Sequence, residues 1–503
     1  MINVPLNPAR TLTSGPEKDQ LRARASRLVA ICWAIVSLYT VCAMLAFINS
    51  RSLWGDEATS VLIASQPYAK MMQTLRQVDA VHALYYSLLH FWLHFGHAAI
   101  VIRSLSVLFA LGASIAIGSI ALLMFGENCA LGAIAVLATS QFFLFFADEA
   151  RSITLSVMTC SLLALSFWRV VKLQRGRDIV VCSLFAVIAV YTNFIALLFI
   201  AGLAASLGLM RLKRNTIILL IGTSAAACLA IVPLVLLIRE NSVRQVGWIA
   251  RGKPTQIFHI VSGILGGSFG TGSVSHVSGL LAVVCVSALM IVGFIGGWRS
   301  SDTRANVIAV SLWFVVPLAL GVAVDHFIQP ILIERYFSFT LIPVALLAGN
   351  GLLTIQRVSR PLVAYAIVGV LGVISIHGLL TVQREDWRSV SRLLTQNASP
   401  ADGILFWQPA GIVPFEFAAG ETLGLPAAAV VYPSASAVNS TFYPDPRPGF
   451  ARSVSRKFKK LWLIESYGYK AEGDASPFDS LSRYYAHTHR QTFSEIQVVT
   501  FDR

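Results

Sequence analysis

Charge is what this chain has least of. Only 13% of its 503 residues are Asp, Glu, Lys or Arg, against about 25% in ordinary soluble domains, while 56% are hydrophobic and the mean hydropathy is +0.69. That scarcity excludes a soluble globular protein. The alternation of apolar and polar residues that builds a transmembrane β-barrel is missing as well. No CxxC pair relates the cysteines Cys32, Cys42, Cys129, Cys160, Cys182, Cys228 and Cys285. Each lies in or beside an apolar run and reads as a small core hydrophobe, not as part of a disulfide framework. No GxGxxG opens a helix, so no nucleotide-binding fold is indicated. Internal repeats of the kind that build secondary transporters are also missing. The first apolar run is too long for a signal peptide, and no small-residue cleavage site follows it.

What the chain has instead is apolar runs long enough to cross a bilayer, about 20 residues each. In lipid the backbone must satisfy itself, which makes helices the simplest solution. The fold class expected is an α-helical polytopic membrane protein with a small C-terminal α/β domain. The spans read as 28–48, 98–125, 129–146, 152–171, 179–192, 194–210, 215–238, 276–298, 305–325, 336–356 and 361–381, eleven in all. Residues 1–27 form a basic tail closing at Arg27, so the N-terminus is expected in the cytoplasm. The net charge of +14 collects in short loops on that same side, at Arg169 to Arg177, Arg211 to Arg214, Arg299 to Arg304, and Arg357 to Arg360. Basic residues so placed report membrane topology, and no nucleic acid partner is implied. One outer loop, 239–253, breaks the rule with Arg239, Arg244, Arg251 and Lys253. The stretch LYYSLLHFWLHF at 84–95 is short and aromatic, and suits a helix lying in the outer interface. Residues 382–503 change composition to short strands and a helix near 478–487, reading as an α/β domain outside the membrane.

Two acidic pairs then fall on one side of the membrane. The first is Asp56–Glu57 in WGDEA, after the first span; the second is Asp148–Glu149, followed by Arg151, in FFADEARS. Carboxylates at helix N-termini often serve only as caps, contributing about 0.3–1 kcal/mol. Two such pairs at one membrane–water boundary point further, to a site facing a water-filled cavity. Paired carboxylates can take a proton from an acceptor hydroxyl or amine. They can also hold a divalent cation that clamps a phosphate leaving group, with Asp56 and Glu149 the candidate ligands. His82, Tyr85 and Tyr86 precede or open the aromatic helix, where rings can stack on a sugar and His82 can reach a phosphate. Glu334, Arg335 and Tyr336 stand where the chain re-enters the bilayer, and Arg335 suits either a lipid phosphate or simple anchoring.

Taken in order, the segments WGDE, VHALYYSLLHFW, RSLSVLFAL from Arg103, DEARS, ERYF…P and DWR resemble the polytopic GT-C glycosyltransferases that use polyprenyl-phosphate sugars. The nearer resemblance is to the bacterial membrane transferases grouped with the protein O-mannosyltransferases and the lipid A aminoarabinose transferases, over residues 28–170 and 330–420. That resemblance implies a sugar donor on a polyprenyl phosphate, used at the outer face of a bacterial inner membrane. Membrane lipids surround it, and the acceptor is an envelope glycan, lipid or protein. It implies Asp56 as the base or metal-linked carboxylate and Glu149 as the acid of the second loop, followed by Arg151. Glu57 is carried with them as a candidate catalytic residue. Tyr85 and Tyr86 match the family's aromatic pair, and Arg335 an arginine near the donor phosphate; Asp148, His82 and Tyr336 complete the expected substrate-binding set. No cofactor is demanded, and a divalent metal is permitted. The family's HPPLYY is VHALYY here, its prolines replaced by His82 and Ala83, and Asp148 stands where relatives often have Gln. Two other readings are a catalytically silent subunit of the same fold and a transporter of lipid-linked glycans.

Overall fold

The computed structural model describes residues 41–246 except 47 and 49, 255–266, 276–358, 361–432 except 383 and 423, 449–466 and 479–503, with Leu38 and Lys253. The basic tail 1–27 and most of the first expected span lie outside the described residues. The same holds for the side chains of Arg244 and Arg251 in the basic outer loop.

The chain first builds a layer of short helices. They are α1 (Gly55–Ala64), α2 (Tyr68–Val78) and α3 (Ala83–Trp92). In α3, Tyr85, Tyr86 and Leu89 face inward and Phe91 outward, the one-sided pattern expected of the aromatic stretch. A bundle of longer helices follows: α4 (Ala99–Phe125), α5 (Glu127–Ala138), α6 (Gln141–Ala147), α7 (Ile153–Leu173), α8 (Gly176–Thr192), α9 (Ala196–Ser206) and α10 (Arg214–Val246). It continues with α11 (Gln256–Ile264), α12 (His276–Arg299), α13 (Arg304–Phe327), α14 (Leu341–Val358) and α15 (Pro361–Thr381). Among the described residues seven helices are long and apolar enough to span a bilayer, or eight if α5 and α6, bent by 66°, make one span. The protein is an integral membrane protein. The other expected spans correspond to the shorter α8 and α9 and to the stretch 28–48.

Helix α14 sits at the centre, most of its length buried, whereas α10 lies at the edge with most of its surface outward. Small residues permit the central packing, as expected where helices associate without a hydrophobic driving force between them. A Cβ on Gly132 would stand 2.8 Å from the Gly349 carbonyl oxygen, and one on Gly293 would collide with the Leu347 carbonyl. Backbones approach here to a distance only glycine allows.

After α15 the polypeptide enters the α/β domain through α16 (Trp387–Asn397), capped by Asp386, whose carboxylate accepts from the Ser389 N–H at 3.0 Å. Strand β1 (Gly403–Trp407), helix α17 (Ile412–Glu421), strand β2 (Ala429–Tyr432), helix α18 (Phe450–Lys457) and strands β3 (Lys460–Glu465), β4 (His487–Phe493) and β5 (Ile496–Asp502) follow. The sheet order is β2-β1-β3-β5-β4, with β1 parallel to both its neighbours and β5 antiparallel to both of its own. The helix expected at 478–487 is not formed. Only a 3-10 turn, Asp479–Arg483, precedes β4, whose HTHRQTF sequence has no helical apolar stripe and sits exposed at the sheet edge. Polar residues on an edge strand keep it from pairing with other chains.

Candidate active site

Two loops converge on the N-terminus of α1. The anchor is Arg103, fully buried one turn into α4. Its Nε and Nη2 donate to the two carboxylate oxygens of Glu57 at 2.9 and 2.7 Å. Its Nη1 donates to the carbonyls of Ile48 and Arg51, and Nη2 also to Ser52. Glu57 in turn accepts from the Ala150 N–H at 2.8 Å, which ties the second acidic loop to the first. Burial works to raise the Glu57 carboxyl, but the Arg103 guanidinium outweighs it and holds it below the usual carboxylate range. Glu57 therefore points into the protein, one residue from an aspartate that points out of it.

Asp56 is one-third exposed and lies between two guanidinium groups. Arg151 Nη2 and Arg335 Nη1 each stand 3.5 Å from its Oδ2. The loop 148–152 between α6 and α7 carries Arg151, and a 3-10 turn (Glu334–Thr340) at the head of α14 carries Arg335. Arg151 also donates to Ser60 Oγ at 3.3 Å, one turn along α1 from Asp56. Arg335 lies over the Tyr336 ring at 5.9 Å, consistent with cation–π attraction. Three segments far apart in sequence thus place one carboxylate between two cations.

Beside this cluster opens a largely apolar cavity of about 310 Å³, bounded by Asp79, His82, Asn193, Ile238, Val324 and Tyr336 among others. Its polar groups are tied together. Tyr86 Oη donates to Asp79 Oδ2 at 2.9 Å. His82 Nδ1 lies 2.9 Å from Ser152 Oγ and 3.1 Å from the Thr192 carbonyl, and its Nε2 lies 3.9 Å from Asp79. Burial lowers the pKa of His82, favouring a neutral ring, with Asp79 opposing. Asn193 Nδ2 donates to the Tyr336 carbonyl at 3.2 Å and holds the 3-10 turn against the break between α8 and α9. Burial raises the phenols of Tyr85 and Tyr86, so both stay neutral. Tyr85 is wholly enclosed and does not border this cavity.

Behind the arginines sit Asp148 and Glu149, both almost fully buried. Glu149 Oε1 pairs with Arg384 Nη2 at 3.2 Å, and neither oxygen of Asp148 accepts a hydrogen bond from a described residue. Burial pushes the Asp148 carboxyl up to about 6 and Glu149 up to about 7, against the pull of the surrounding arginines. Arg384 lies just before α16, 4.1 Å from the centre of the Phe145 ring.

The structure therefore brings Asp56, Arg151, Arg335, Tyr336, His82 and Tyr86 to one place. Glu57, Asp148 and Glu149 lie behind it, and Tyr85 is walled off. Sequence reasoning missed Asp79, Asn193, Arg103 and Arg384 as site residues. Arg103 did carry a signal, since an arginine inside an apolar run is costly unless paired. Nothing in the sequence singled out the other three.

No protein-family model matches the sequence, and no curated protein matches it. Solved structures do match it in three dimensions. ArnT from Cupriavidus metallidurans in the apo state superposes with a TM-score of 0.55 at 12% identity, over 95% of this chain and 98% of that one. The chain has the GT-C fold. The same ArnT bound to undecaprenyl phosphate gives 0.54. Archaeal oligosaccharyltransferase AglB from Archaeoglobus fulgidus, in complex with an inhibitory peptide and a dolichol-phosphate, gives 0.52 at 11% identity, over 94% of this chain and 74% of that one. Arabinofuranosyltransferase AftD from Mycobacteria gives 0.51 at 14% identity over 95% of this chain, which spans only 42% of AftD. For the permitted divalent metal the described residues offer no donor set. Among the described residues no three His, Cys, Asp or Glu side chains converge, and the two candidate carboxylates, Asp56 and Glu149, each face guanidinium groups.

Proposed function

We propose that the protein is a glycosyltransferase that moves a sugar from a polyprenyl-phosphate carrier to an envelope acceptor. One observation carries the reading: Asp56 lies between Arg151 and Arg335 next to a cavity lined mainly by apolar side chains. The bound lipids named for ArnT and AglB support a lipid-phosphate donor of this type.

The chemistry is a single displacement with inversion at the sugar. Asp56 takes the proton from the acceptor's hydroxyl or amine. The freed lone pair forms the new bond at the anomeric carbon, and the bond from that carbon to the phosphate oxygen breaks. The electron pair leaves with the polyprenyl phosphate, whose charge Arg151 and Arg335 neutralise. These same cations engage Asp56 at 3.5 Å, longer than a good charged hydrogen bond. A donor phosphate would compete for them and release the carboxylate to act as base. Asp79, held by Tyr86, and neutral His82 form the polar wall against which the sugar hydroxyls would orient. In this scheme Glu57 is a positioning residue and not a catalytic one, while Asp148 and Glu149 set the field behind the arginines. The assignment places residues 28–381 in the inner membrane and 382–503 in the periplasm, with the 1–27 tail in the cytoplasm.

The test is sugar transfer in membranes carrying wild type or Asp56→Asn, with the lipid-linked and envelope glycans profiled. Loss of one glycan modification at unchanged protein level supports Asp56 as the base, and the missing sugar identifies the donor. Equal transfer by Asp56→Asn sinks the base assignment. A wild type that changes no glycan relative to a deletion favours the silent-subunit or transporter reading.

A further inference from the structure

The linker into the C-terminal domain does not cross open surface. It threads between the two acidic loops. Glu385 Oε2 accepts from the Gly55 N–H at 3.3 Å, at the first turn of the helix that carries Asp56. The same oxygen accepts from the buried indole of Trp387 at 2.7 Å. Ser52 Oγ donates to the Glu385 carbonyl at 2.7 Å and accepts from the Trp387 N–H at 3.1 Å. One residue before, Arg384 enters the acidic pocket and is the cation that pairs with Glu149. Two of its donors, Nε and Nη1, are buried without a hydrogen bond to any described residue, as are both oxygens of Asp148. Beyond the linker, Val413 and Phe417 of α17 pack against the apolar cluster that includes Leu53, Ala58 and Val61 of the first loop and α1. Helix α1 is therefore held at its N-terminus and along one side by residues more than 300 positions away in the chain.

This arrangement has a physical cost that calls for a reason. Burying Arg384 with Asp148 and Glu149 removes charges from water, and a partly satisfied network of this kind is weak evidence for stability. What it provides is register. The N-terminal amides of a helix lack intrahelical acceptors, and a carboxylate there also meets the positive end of the helix dipole. Glu385 supplies that carboxylate from outside the helix.

We propose that Arg384 and Glu385 are positioning residues for Asp56. The C-terminal domain, through its linker, sets where α1 begins and so whether Asp56 meets Arg151 and Arg335. The consequence for catalysis rests on the glycosyl-transfer reading; the mechanical link does not.

The test uses the full-length protein in detergent with two readouts. One is hydrogen exchange over residues 51–64. The other is binding of undecaprenyl phosphate, the probe for the donor side. Glu385→Gln should speed exchange at the start of α1 and weaken undecaprenyl phosphate binding, each about tenfold, the size expected for one lost charged hydrogen bond. Arg384→Met should do the same, and adding Glu149→Gln should restore much of both readouts, because the carboxylate that Arg384 paired with is then neutral and only Asp148 is left without it. Ser52→Ala deletes only the hydroxyl that clamps the Glu385 carbonyl and the Trp387 N–H. It gives the same readout in milder form should Glu385→Gln misfold. Unchanged exchange in Glu385→Gln overturns the proposal. So does an Arg384→Met variant whose binding falls while exchange stays fixed, since Arg384 would then touch the phosphate itself. If the wild type binds no undecaprenyl phosphate, the donor reading fails, and the exchange measurement alone decides the mechanical link.

Discussion

The buried pair Glu57–Arg103 offers the sharpest quantitative test. Neither side chain has any exposure, and the pair makes a two-pronged contact at 2.9 and 2.7 Å. Glu57→Gln keeps the shape and removes the negative charge, leaving a buried guanidinium uncompensated. Breaking one side of such a pair costs about 3–5 kcal/mol. Arg103→Met leaves Glu57 with only the Ala150 and Trp54 amides, and removes the donors to three backbone carbonyls. Its cost falls in the same range of about 3–5 kcal/mol. Were the two changes independent, the double variant would lose about 6–10 kcal/mol, comparable with the whole stability of a typical domain at about 5–15 kcal/mol. In the double variant no lone charge stays buried, and the loss is the three orphaned carbonyls, about 1 kcal/mol each or somewhat more. Its cost should therefore match either single variant, with a coupling of roughly 3 kcal/mol or more. The assay is denaturant or thermal unfolding in one detergent at fixed pH for wild type, both singles and the double, read from folded fraction after separation by size. Additivity within about 0.5 kcal/mol would refute the pairing as the organiser of these loops.

The remaining predictions use the same protein preparation. Gly293→Val should prevent α12 from closing on α14, because its side chain would overlap the Leu347 carbonyl; the check is monodisperse yield, and normal yield would contradict the packing. Asp148 is raised from 3.8 to about 6 and Glu149 from 4.5 to about 7 in the folded protein. A raised folded pKa means that their contribution to stability is greatest below the unfolded values and is lost as pH rises through the folded ones. The unfolding midpoint should therefore fall between pH 3.8 and 7, and Asp148→Asn should flatten that fall; equal slopes for the two proteins would refute it. Glu57 runs the other way. Its folded pKa is depressed, so its contribution is present above 4.5 and fades as pH drops below that value, an extra loss that Glu57→Gln should abolish.

Apolar runs of bilayer length made the bundle legible from the residues alone. The backbone's need for internal hydrogen bonds leaves little choice once 20 consecutive residues exclude water. The helices Ala99–Phe125, Ile153–Leu173, His276–Arg299, Arg304–Phe327 and Pro361–Thr381 lie where that reasoning put them. The aromatic helix and the two acidic loops were equally visible, because each carries its signal within about ten neighbouring residues. The stretch before β4 was misread as an α-helix because its spaced apolar residues, Leu481 and Tyr485, are buried from a short 3-10 turn and the chain just after it instead.

Composition and local pattern therefore settled that this is a helical membrane protein with acidic loops and a small appended sheet. Which acid of the first pair turns outward, and that both acids of the second are buried, was decided only by tertiary structure. Asp56 and Glu57 are chemically alike and adjacent, yet Arg103 takes one inward while Arg151 and Arg335 meet the other. The same holds for Arg384 and Glu385, whose partners lie more than 200 residues away. Ion pairs and hydrogen bonds act over a few ångströms, and no sequence spacing encodes which distant segments a bundle will bring that close.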